Sequence, residues 1–444
     1  MRGIAPLLSA VVLFVPVPAD AQSNAEINAG VQFNFRPPGA RSLAMGGAFV
    51  AVADDATAAY TNPAGLGVLT KPELSLEIRN TEFTTLFTDR GNSRTPSGIG
   101  IDTVEGLING RSTVGSTGPA FASVVLPAGR FAVALYLHEL SRFRAALLTQ
   151  GPYFGASRAF PAESEMSLDI VNYGLATSFR ASEKLWLGAG ISLYTFEIDS
   201  MTDRFGIRRE DFVFNDARIG GFYGPPDYGL ANIANSQTQE GDDTAVDVTA
   251  GLLWRPSAKL QVGAVFRRGP EFEGVSVEIR PGARFSFTPS RAVSGFKVPD
   301  AFALGLALRP SDQLVLAAEV VRVRYSQRLK YFVDAFGGFG EADPDDYAID
   351  DGTELHLGAE YVVAGMARPL VFRAGAWREP DNRIRWVGPP LDDDASEIFF
   401  RKGEANVHGA FGLGWVASSR FQLDAGADLS DRGNTWTASA VLRF

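Results

Sequence analysis

From residue 72 onward the chain repeats one pattern: an alternating apolar and polar stretch, a short polar turn, and another alternating stretch. Three copies of the turn, in the segments 179–188, 254–263 and 308–316, resemble one another closely. Pro, Ser, Asp and Gly occupy these turns, and the alternation resumes on both sides of each, which is typical of β-hairpins. The pattern therefore predicts a protein built from consecutive antiparallel strands.

The pattern predicts fourteen strands, and the connections between them alternate in length along the chain. Connections after the even-numbered strands up to the twelfth are short, whereas most of the others are long, the longest running from about 201 to 243. A soluble sandwich has no reason to sort its loops in this way, but an outer-membrane barrel has short periplasmic turns, long external loops and an even strand number. The predicted strands are 72–88, 117–126, 130–148, 163–180, 184–200, 244–255, 259–274, 299–309, 313–330, 352–363, 369–381, 403–417, 420–430 and 434–444.

The fold class predicted is all-β, a 14-stranded antiparallel transmembrane β-barrel over residues 72–444. The apolar face of each strand then contacts lipid and the polar face lines the lumen. Beyond the first twenty residues the chain has no uncharged apolar run of about 18, the length that a spanning helix needs. A membrane crossing must therefore use a closed barrel, because lipid cannot satisfy exposed backbone groups.

The N-terminus predicts export. Met1 and Arg2 give a positive start, an apolar stretch runs from Ile4 to Val17, and Ala19-Asp20-Ala21 forms a small-x-small cleavage site. This is the pattern of a secretory signal peptide over residues 1–21, so we expect a bacterial outer-membrane protein whose mature chain begins at Gln22. A buried N-terminal helix is the alternative reading.

Residues 22–71 do not alternate as strands do. The segment is rich in Ala and Gly, and Asn62 followed by Pro63 predicts a short helical turn, with Asn as N-cap and Pro in the first position. Small residues allow close packing. About fifty such residues ahead of a barrel predict an N-terminal plug, or hatch, folded into the lumen.

This stretch resembles the N-terminal signature of the FadL-type outer-membrane hydrophobic-compound transporters and their PorV-like relatives. The resemblance rests on the runs Met45-Gly46-Gly47-Ala48, Ala53-Asp54-Asp55-Ala56 and Asn62-Pro63-Ala64-Gly65. It implies a barrel blocked by an N-terminal hatch, with hydrophobic molecules such as long-chain fatty acids entering from outside. They would leave sideways through an opening in the wall made by a kinked strand. It also implies that Asn62, Pro63 and Ala64 belong to the gating element of the hatch.

Two functions stay open on the resemblance. One is passive, plug-gated uptake of long-chain fatty acids or similar molecules, and the other is a PorV-like scaffold for a protein secretion system. A continuous apolar pocket between plug and wall favours uptake, whereas a sealed wall with an exposed apolar loop surface favours the scaffold. The barrel reading also implies contacts with outer-membrane lipid and lipopolysaccharide, and with the barrel-assembly machinery through the C-terminal strand ending at Phe444.

The composition and motifs point away from catalysis. The chain has no Gly-x-Ser-x-Gly elbow and no phosphate-cradling Gly-x-x-x-x-Gly-Lys, so we expect a non-enzyme without a cofactor. It has no Cys, which excludes disulfides and thiolate metal sites, and its net charge of −10 disfavours nucleic acid. Glycine pairs such as Gly188/Gly190 and Gly412/Gly414 are interpreted as relief of crowding in the wall or at the plug.

Charged residues and all three histidines fall on predicted lumen positions, which indicates a wet or plugged interior and favours lateral exit over axial passage. We expect each histidine to hydrogen-bond to the plug or a neighbouring strand; a proton-linked gate is the alternative, since His titrates near neutral pH. The predicted lumen residues are Glu77, Arg79, His138, Asp247, Arg255, Arg267, Glu319, Glu354, His356, Glu360, Arg373, His408, Asp424 and Asp428.

Two kinds of loop, one rich in aromatic residues and the other acidic, are candidate binding sites. The loop 201–243 carries Phe205, Phe212, Phe214, Phe222 and Tyr223 among Gly and Pro, and these aromatics either capture a hydrophobic ligand or form the loop's own small core. Acidic stretches at 341–351 and 392–397 are interpreted as solvated loop tips rather than divalent-cation sites, because their spacing fits no defined calcium loop.

Overall fold

Fourteen antiparallel strands form a closed ring in the computed structural model, as the sequence predicts. The structure describes residues 24–33, 35–92, 106–154, 157–206, 212–214, 221–223, 226–283, 286–336, 343–389 and 396–444. The predicted signal peptide lies outside these residues. The strands are β1 Glu73–Asn92, β2 Gly106–Ala128, β3 Phe131–Thr149, β4 Ala162–Arg180, β5 Leu185–Phe205, β6 Ile233–Ser257, β7 Leu260–Arg267 with Glu271–Pro281, β8 Ser290–Lys297 with Ala301–Ser311, β9 Leu314–Val323, β10 Gly352–Val362, β11 Leu370–Glu379, β12 Asn406–Val416, β13 Phe421–Ser430 and β14 Gly433–Arg443.

The ring closes where β14 pairs with β1, from Arg443 opposite Glu73 to Thr435 opposite Thr81. Several strands are longer than the alternation predicts. The two strands that flank the longest predicted loop extend to Phe205 and back to Ile233, because they pair with each other along that length. Apolar alternation ends where lipid ends, so it underestimates strands that continue above the membrane.

The outward face carries an apolar band next to the short turns. Large side chains in this band are exposed, among them Leu126, Leu135, Leu187 and Leu357. Such a band, facing lipid, is what anchors an outer-membrane barrel. Among the described residues, no helix has the length and apolar character that crossing a membrane requires.

The inward face changes character along the barrel axis. Near the short turns it carries charged residues, whereas farther from them the inward residues of β4 and β5 include Leu168, Ile170, Phe196 and Ile198, all buried. These side chains belong to one apolar cluster that also includes residues of β3 and β7. Charged side chains are thus concentrated in the periplasmic half of the lumen, whereas the outer half carries a large apolar cluster.

Four short helical elements precede the barrel. They are α1 Asn24–Ala29, α2 Ala40–Ala44, α3 Ala58–Thr61 and a 3-10 turn at Pro63–Val68. The Asn62 side chain accepts a hydrogen bond from the Ala64 backbone N–H, and Pro63 occupies the first helical position, as the sequence predicts. A further α-helix, α4 Ser396–Phe399, lies in a loop on the outer side. The loops there also contain 3-10 turns at Leu230–Asn232, Tyr325–Tyr331, Val333–Phe336 and Pro344–Asp346.

Candidate functional site

The N-terminal segment, residues 24–69, lies inside the ring of strands. Inward side chains from strands all around the ring hydrogen-bond to its backbone. The bonds join Glu77 to Gly39 N at 2.7 Å, Ser123 to Ala56 O at 2.9 Å, Ser178 to Ala64 O at 3.0 Å, Glu319 to Val50 N at 2.8 Å, His356 to Gly46 O at 2.7 Å and Ser439 to Ala40 N at 3.1 Å. Because these strands face one another across the lumen, the segment is held from opposite sides.

Glycine pairs on neighbouring strands let the segment reach the wall itself. Each pair lies directly across a strand interface, and a β-carbon added to any of its members would press on the N-terminal segment. A close approach of two backbones is what glycine in a strand permits. The pairs and the residues that they receive are Gly188 with Gly251 for Asn62 and Ala64, Gly263 with Gly305 for Val50 and Ala51, Gly358 with Gly375 for Met45 and Gly46, and Gly412 with Gly426 for Ala40 and Ala44.

The predicted gating element is fully buried against β6. The Asn62 side-chain amide donates to the Val50 carbonyl at 3.0 Å and to the Leu252 carbonyl of β6 at 3.1 Å. Its side-chain oxygen accepts from Ala64 N at 3.1 Å. Asn62 therefore joins two parts of the N-terminal segment to the wall with one side chain.

A buried charge network fastens α2 to the opposite wall. The Arg41 guanidinium donates to both carboxylate oxygens of Glu360, at 2.7 and 2.8 Å, and to Asp54 at 2.6 Å. Burial alone would raise the pKa of Asp54, but Arg41 and Arg309 outweigh it and hold that pKa below its usual value. Arg373 bonds Glu360 from the wall side at 2.7 Å, so the carboxylate sits between two guanidinium groups.

The three histidines are buried in the lumen, as predicted. His356 hydrogen-bonds to Gly46 of the segment, and His408 bonds Asp428 at 3.1 Å, which confirms the expectation for these two. For His138 the expectation is wrong: neither ring nitrogen has a hydrogen-bond partner within the described part of the chain, and the ring instead stacks on Tyr60 at 3.8 Å.

The predicted lumen charges also lie inside, and Arg255 alone among them is only half-buried. Among the described residues, no group of His, Asp and Glu side chains is placed to hold a metal ion. Among the described residues, the charged half of the lumen is therefore occupied by ion pairs and by the N-terminal segment.

The wall contains a seam between β2 and β3. These strands pair only from Ala128–Phe131 up to Phe121–His138, although both continue well beyond. A bulge interrupts each strand where the pairing stops: β2 shifts register against β1 beside Phe121, and β3 shifts against β4 beside Glu139. Bulges bend strands and end pairing, so among the described residues the outer half of β3 has no partner on its β2 side.

Beyond the bulge, β3 bends into the lumen. Its Phe143 ring lies 5.2 Å from the Phe83 ring of β1, and Thr149 Oγ1 donates to the Thr88 and Asp89 carbonyls at 3.1 and 2.9 Å. The strand thus contacts β1 directly, from inside, and leaves the outer half of β2 behind. This identifies β3 as a kinked strand.

A cavity of about 50 Å³ adjoins the seam. It lies between the N-terminal segment and the wall, and its aromatic lining comes from Phe33, Phe35, Phe83 and Trp377. On the seam side the cavity is lined by Glu139, Ser141 and Arg142.

A second break in the wall lies between β6 and β7. It is bridged by the Asp243 carboxylate, which accepts a hydrogen bond from Glu273 N at 2.8 Å.

The predicted aromatic loop is only partly described. Phe205 ends β5 and is buried, with its ring 5.2 Å from that of Tyr228, which is the packing of a small core. The backbone of 212–214 pairs with that of 221–223, and the side chains of Phe212, Phe214, Phe222 and Tyr223 lie outside the described residues. Ligand capture by this loop stays a prediction. Of the acidic stretches, residues 341–342 and 392–395 also lie outside the described residues.

The resemblance implied an opening made by a kinked strand, but sequence reasoning did not locate the seam, and it missed the apolar outer half of the lumen. The apolar outer half of the lumen has a signal in the sequence. In β5 the apolar residues change from odd positions, such as Leu187 and Leu193, to even positions, such as Phe196 and Ile198. Since β5 pairs with β4 without interruption there, the change of phase moves apolar residues from outside to inside.

Comparison with known proteins gives one family and several solved structures. A family model described as outer membrane protein transport protein (OMPP1/FadL/TodX) matches residues 22–430. A FadL homologue of Pseudomonas aeruginosa superposes with a TM-score of 0.64 at 16% identity, covering 93% of this chain and 99% of that one. The toluene transporter TodX of P. putida gives 0.60 at 15% identity, and the monoaromatic hydrocarbon channel CymD gives 0.57 at 14%, both with the same 93% and 99% coverage. No curated protein matches the sequence.

Proposed function

The chain belongs to the outer membrane transport protein family OMPP1/FadL/TodX, and from this premise we propose that it takes up long-chain fatty acids or similar hydrophobic molecules passively. The N-terminal segment is the plug of this channel, and the seam between β2 and β3 is its lateral exit. The observation that carries the proposal is the position of the seam beside the cavity between plug and wall.

The two halves of the lumen set the route. Its outer half is lined by buried Leu, Ile and Phe side chains, which an apolar ligand contacts with a gain of about 25 cal/mol per Å² of surface removed from water. Its periplasmic half holds ion pairs and a plug seated backbone-to-wall on glycine pairs. An apolar ligand therefore finds a favourable path inward from outside and then sideways, and no favourable path straight through.

The cavity is the part of this route that is present in the closed state of the channel. At about 50 Å³ the cavity is far smaller than the pockets of about 300–1,000 Å³ that hold small-molecule ligands, so ligand entry requires side chains such as Phe33 and Phe35 to move. Both belong to the stretch between α1 and α2, which the glycine pairs do not hold. Small displacements of this stretch enlarge the cavity without removing the rest of the plug.

The lining of the cavity is compatible with both long-chain and aromatic ligands. The cavity is lined by four aromatic rings, which can contact an acyl chain or an aromatic molecule, and by charged side chains such as Arg36, Glu354 and Glu379. The similar solved structures include a FadL homologue and toluene transporters. The same proposal places outer-membrane lipid and lipopolysaccharide around the barrel. It places the barrel-assembly machinery at the C-terminal strand β14 and at Phe444, which follows this strand and is 63% exposed.

Mass spectrometry of the gently delipidated barrel tests the proposal, with the native protein compared with Asn62→Ala. A fatty acid or hydrocarbon bound at near-unit stoichiometry supports uptake and names the ligand class. We expect the variant to retain less of it, because its plug is less firmly seated. An empty barrel that retains a protein partner overturns the proposal in favour of a PorV-like scaffold.

A further inference from the structure

One side chain closes the seam. The Arg142 guanidinium extends from β3 to the backbone of Gly118 in β2, on the far side of the gap. A β-carbon built on Gly118 would lie within 2.5 Å of Arg142 Cζ and closer still to Nη1. The guanidinium therefore occupies the space that any other residue at position 118 would fill.

Two carboxylates hold the guanidinium in this place. Arg142 Nη2 lies 2.7 Å from Glu139 Oε2, and Arg142 Nε lies 3.9 Å from Asp169 Oδ1 of β4. The Arg142 side chain is 23% exposed, and ion pairs that water reaches are weak. The contact is thus specific in geometry and easily opened.

We propose that Arg142 is the latch of the lateral exit, a side chain that the ligand displaces from Gly118 as it leaves the barrel. The proposal rests on the proposed function, since it assigns a residue to the exit. Arg142 both lines the cavity and spans the seam, so it lies between the plug and the surrounding membrane. With Arg142 on Gly118 the cavity is closed on that side, and rotation of this flexible side chain opens it without moving a strand.

Arg144 provides a matched control two residues away. It pairs with the same Asp169, at 2.6 Å, and donates to the Phe143 carbonyl at 2.8 Å. These contacts lie toward β4, where the pairing with β3 is continuous, and not toward the seam. Loss of Arg144 removes a similar charge from the same face and leaves the latch in place.

The first test measures uptake of radiolabelled hexadecanoate by host cells that lack their own fatty-acid channel. We expect Arg142→Ala to raise the initial rate roughly two- to fivefold, the range that weak ion pairs represent, and Arg144→Ala to leave it unchanged. Gly118→Ala acts in the same direction, because its methyl group displaces the guanidinium, and the double variant is no faster than Arg142→Ala alone. Purified Arg142→Ala binds and releases hexadecanoate faster than the native protein, with the same occupancy at equilibrium.

The second test uses the absence of cysteine from the chain. Gly118→Cys combined with Arg142→Cys, bridged by a short reducible thiol crosslinker, should stop uptake, and reduction should restore it. If Arg142→Ala and Gly118→Ala take up hexadecanoate at the native rate while the crosslink still blocks uptake, the latch is overturned. The exit and the proposed function then stand. Uptake that continues across the bridge overturns the latch and the seam as exit. No uptake of hexadecanoate or of toluene by the native protein overturns the proposed function, and the latch with it.

Discussion

Gly375 of β11 lies against Gly46 of the N-terminal segment, the proposed plug, so closely that a β-carbon on Gly375 would overlap the Gly46 nitrogen. The atoms that it would meet are backbone, which cannot rotate away as a side chain can. Gly375→Ala should therefore push the plug off the wall at a cost of about 1–3 kcal/mol, the usual penalty of overpacking. Faster hydrogen exchange of residues 40–50 would report this loosening.

Gly409 of β12 is the matched control, because an added β-carbon there meets no atom within 4 Å. Gly409→Ala should leave exchange of the plug unchanged. Equal exchange in the two variants would mean that the plug does not rest on the wall as described.

Removal of the Asn62 side chain should weaken the plug at a second place. Asn62→Ala loses the cap of the 3-10 turn and leaves the buried Val50 and Leu252 carbonyls without that donor. A lost cap costs about 1 kcal/mol, and each buried hydrogen bond contributes about 0.5–1.5 kcal/mol. We expect faster exchange at residues 50–66 and altered uptake of ligand, with a folded barrel.

Asn80→Ala is a suitable comparison, because Asn80 bonds Thr117 at 2.7 Å in an exposed part of the wall. It should change neither exchange of the plug nor uptake. A folded Asn62→Ala protein with native uptake would refute a gating role for Asn62.

Arg41 should matter more to the seating of α2 than Glu360 does. Glu360→Gln leaves Arg41 paired with Asp54 and Asp55, and it leaves Arg373 paired with Asp424. Arg41→Met removes all the ion pairs of Arg41, including the one with Glu360 that joins α2 to the wall. Loss of one partner from a buried ion pair costs about 3–5 kcal/mol when no second partner remains. Hydrogen exchange at α2 should therefore increase more in Arg41→Met than in Glu360→Gln, and the reverse order would contradict the network.

The sequence predicts the barrel well because lipid imposes a simple rule on it. Outward residues must be apolar for the height of the membrane, so alternation and loop length are enough to predict the strand number and the direction of each side chain there. The lumen positions of Glu360 and His356 follow from the same rule. The Asn62-Pro63 cap is local chemistry and was equally predictable.

The seam follows from no such rule. It depends on bulges beside Phe121 and Glu139, and a bulge changes one backbone conformation without a required residue type. The contact between Arg142 and Gly118 joins strands whose pairing has ended, so neither alternation nor turn chemistry predicts it. Strand pairing had to be seen before these residues could be connected.

The seating of α1 should depend on pH through Glu26. Burial raises the pKa of the Glu26 carboxyl from 4.5 to about 7, although Arg383 lowers it in part, and Glu26 Oε1 has no hydrogen-bond partner among the described residues. The seated plug thus binds this proton more tightly than a released one. Seating is strongest below about pH 4.5, weakens as the pH rises toward 7, and then stays constant.

Glu26→Gln removes that dependence, because glutamine carries no charge to desolvate. At pH 8.5 residues 24–31 of the variant should exchange hydrogen more slowly than those of the native protein. The free energy of opening should be higher in the variant by up to about 3 kcal/mol, which is the free-energy equivalent of the pKa shift of Glu26. At pH 4.5 the two proteins should match, and comparison at each pH cancels the intrinsic exchange rate. Glu278→Gln, a change at a wall carboxylate that faces solvent, should have no effect at either pH. A difference between Glu26→Gln and the native protein that did not vary with pH would show that Glu26 acts through packing rather than through its charge.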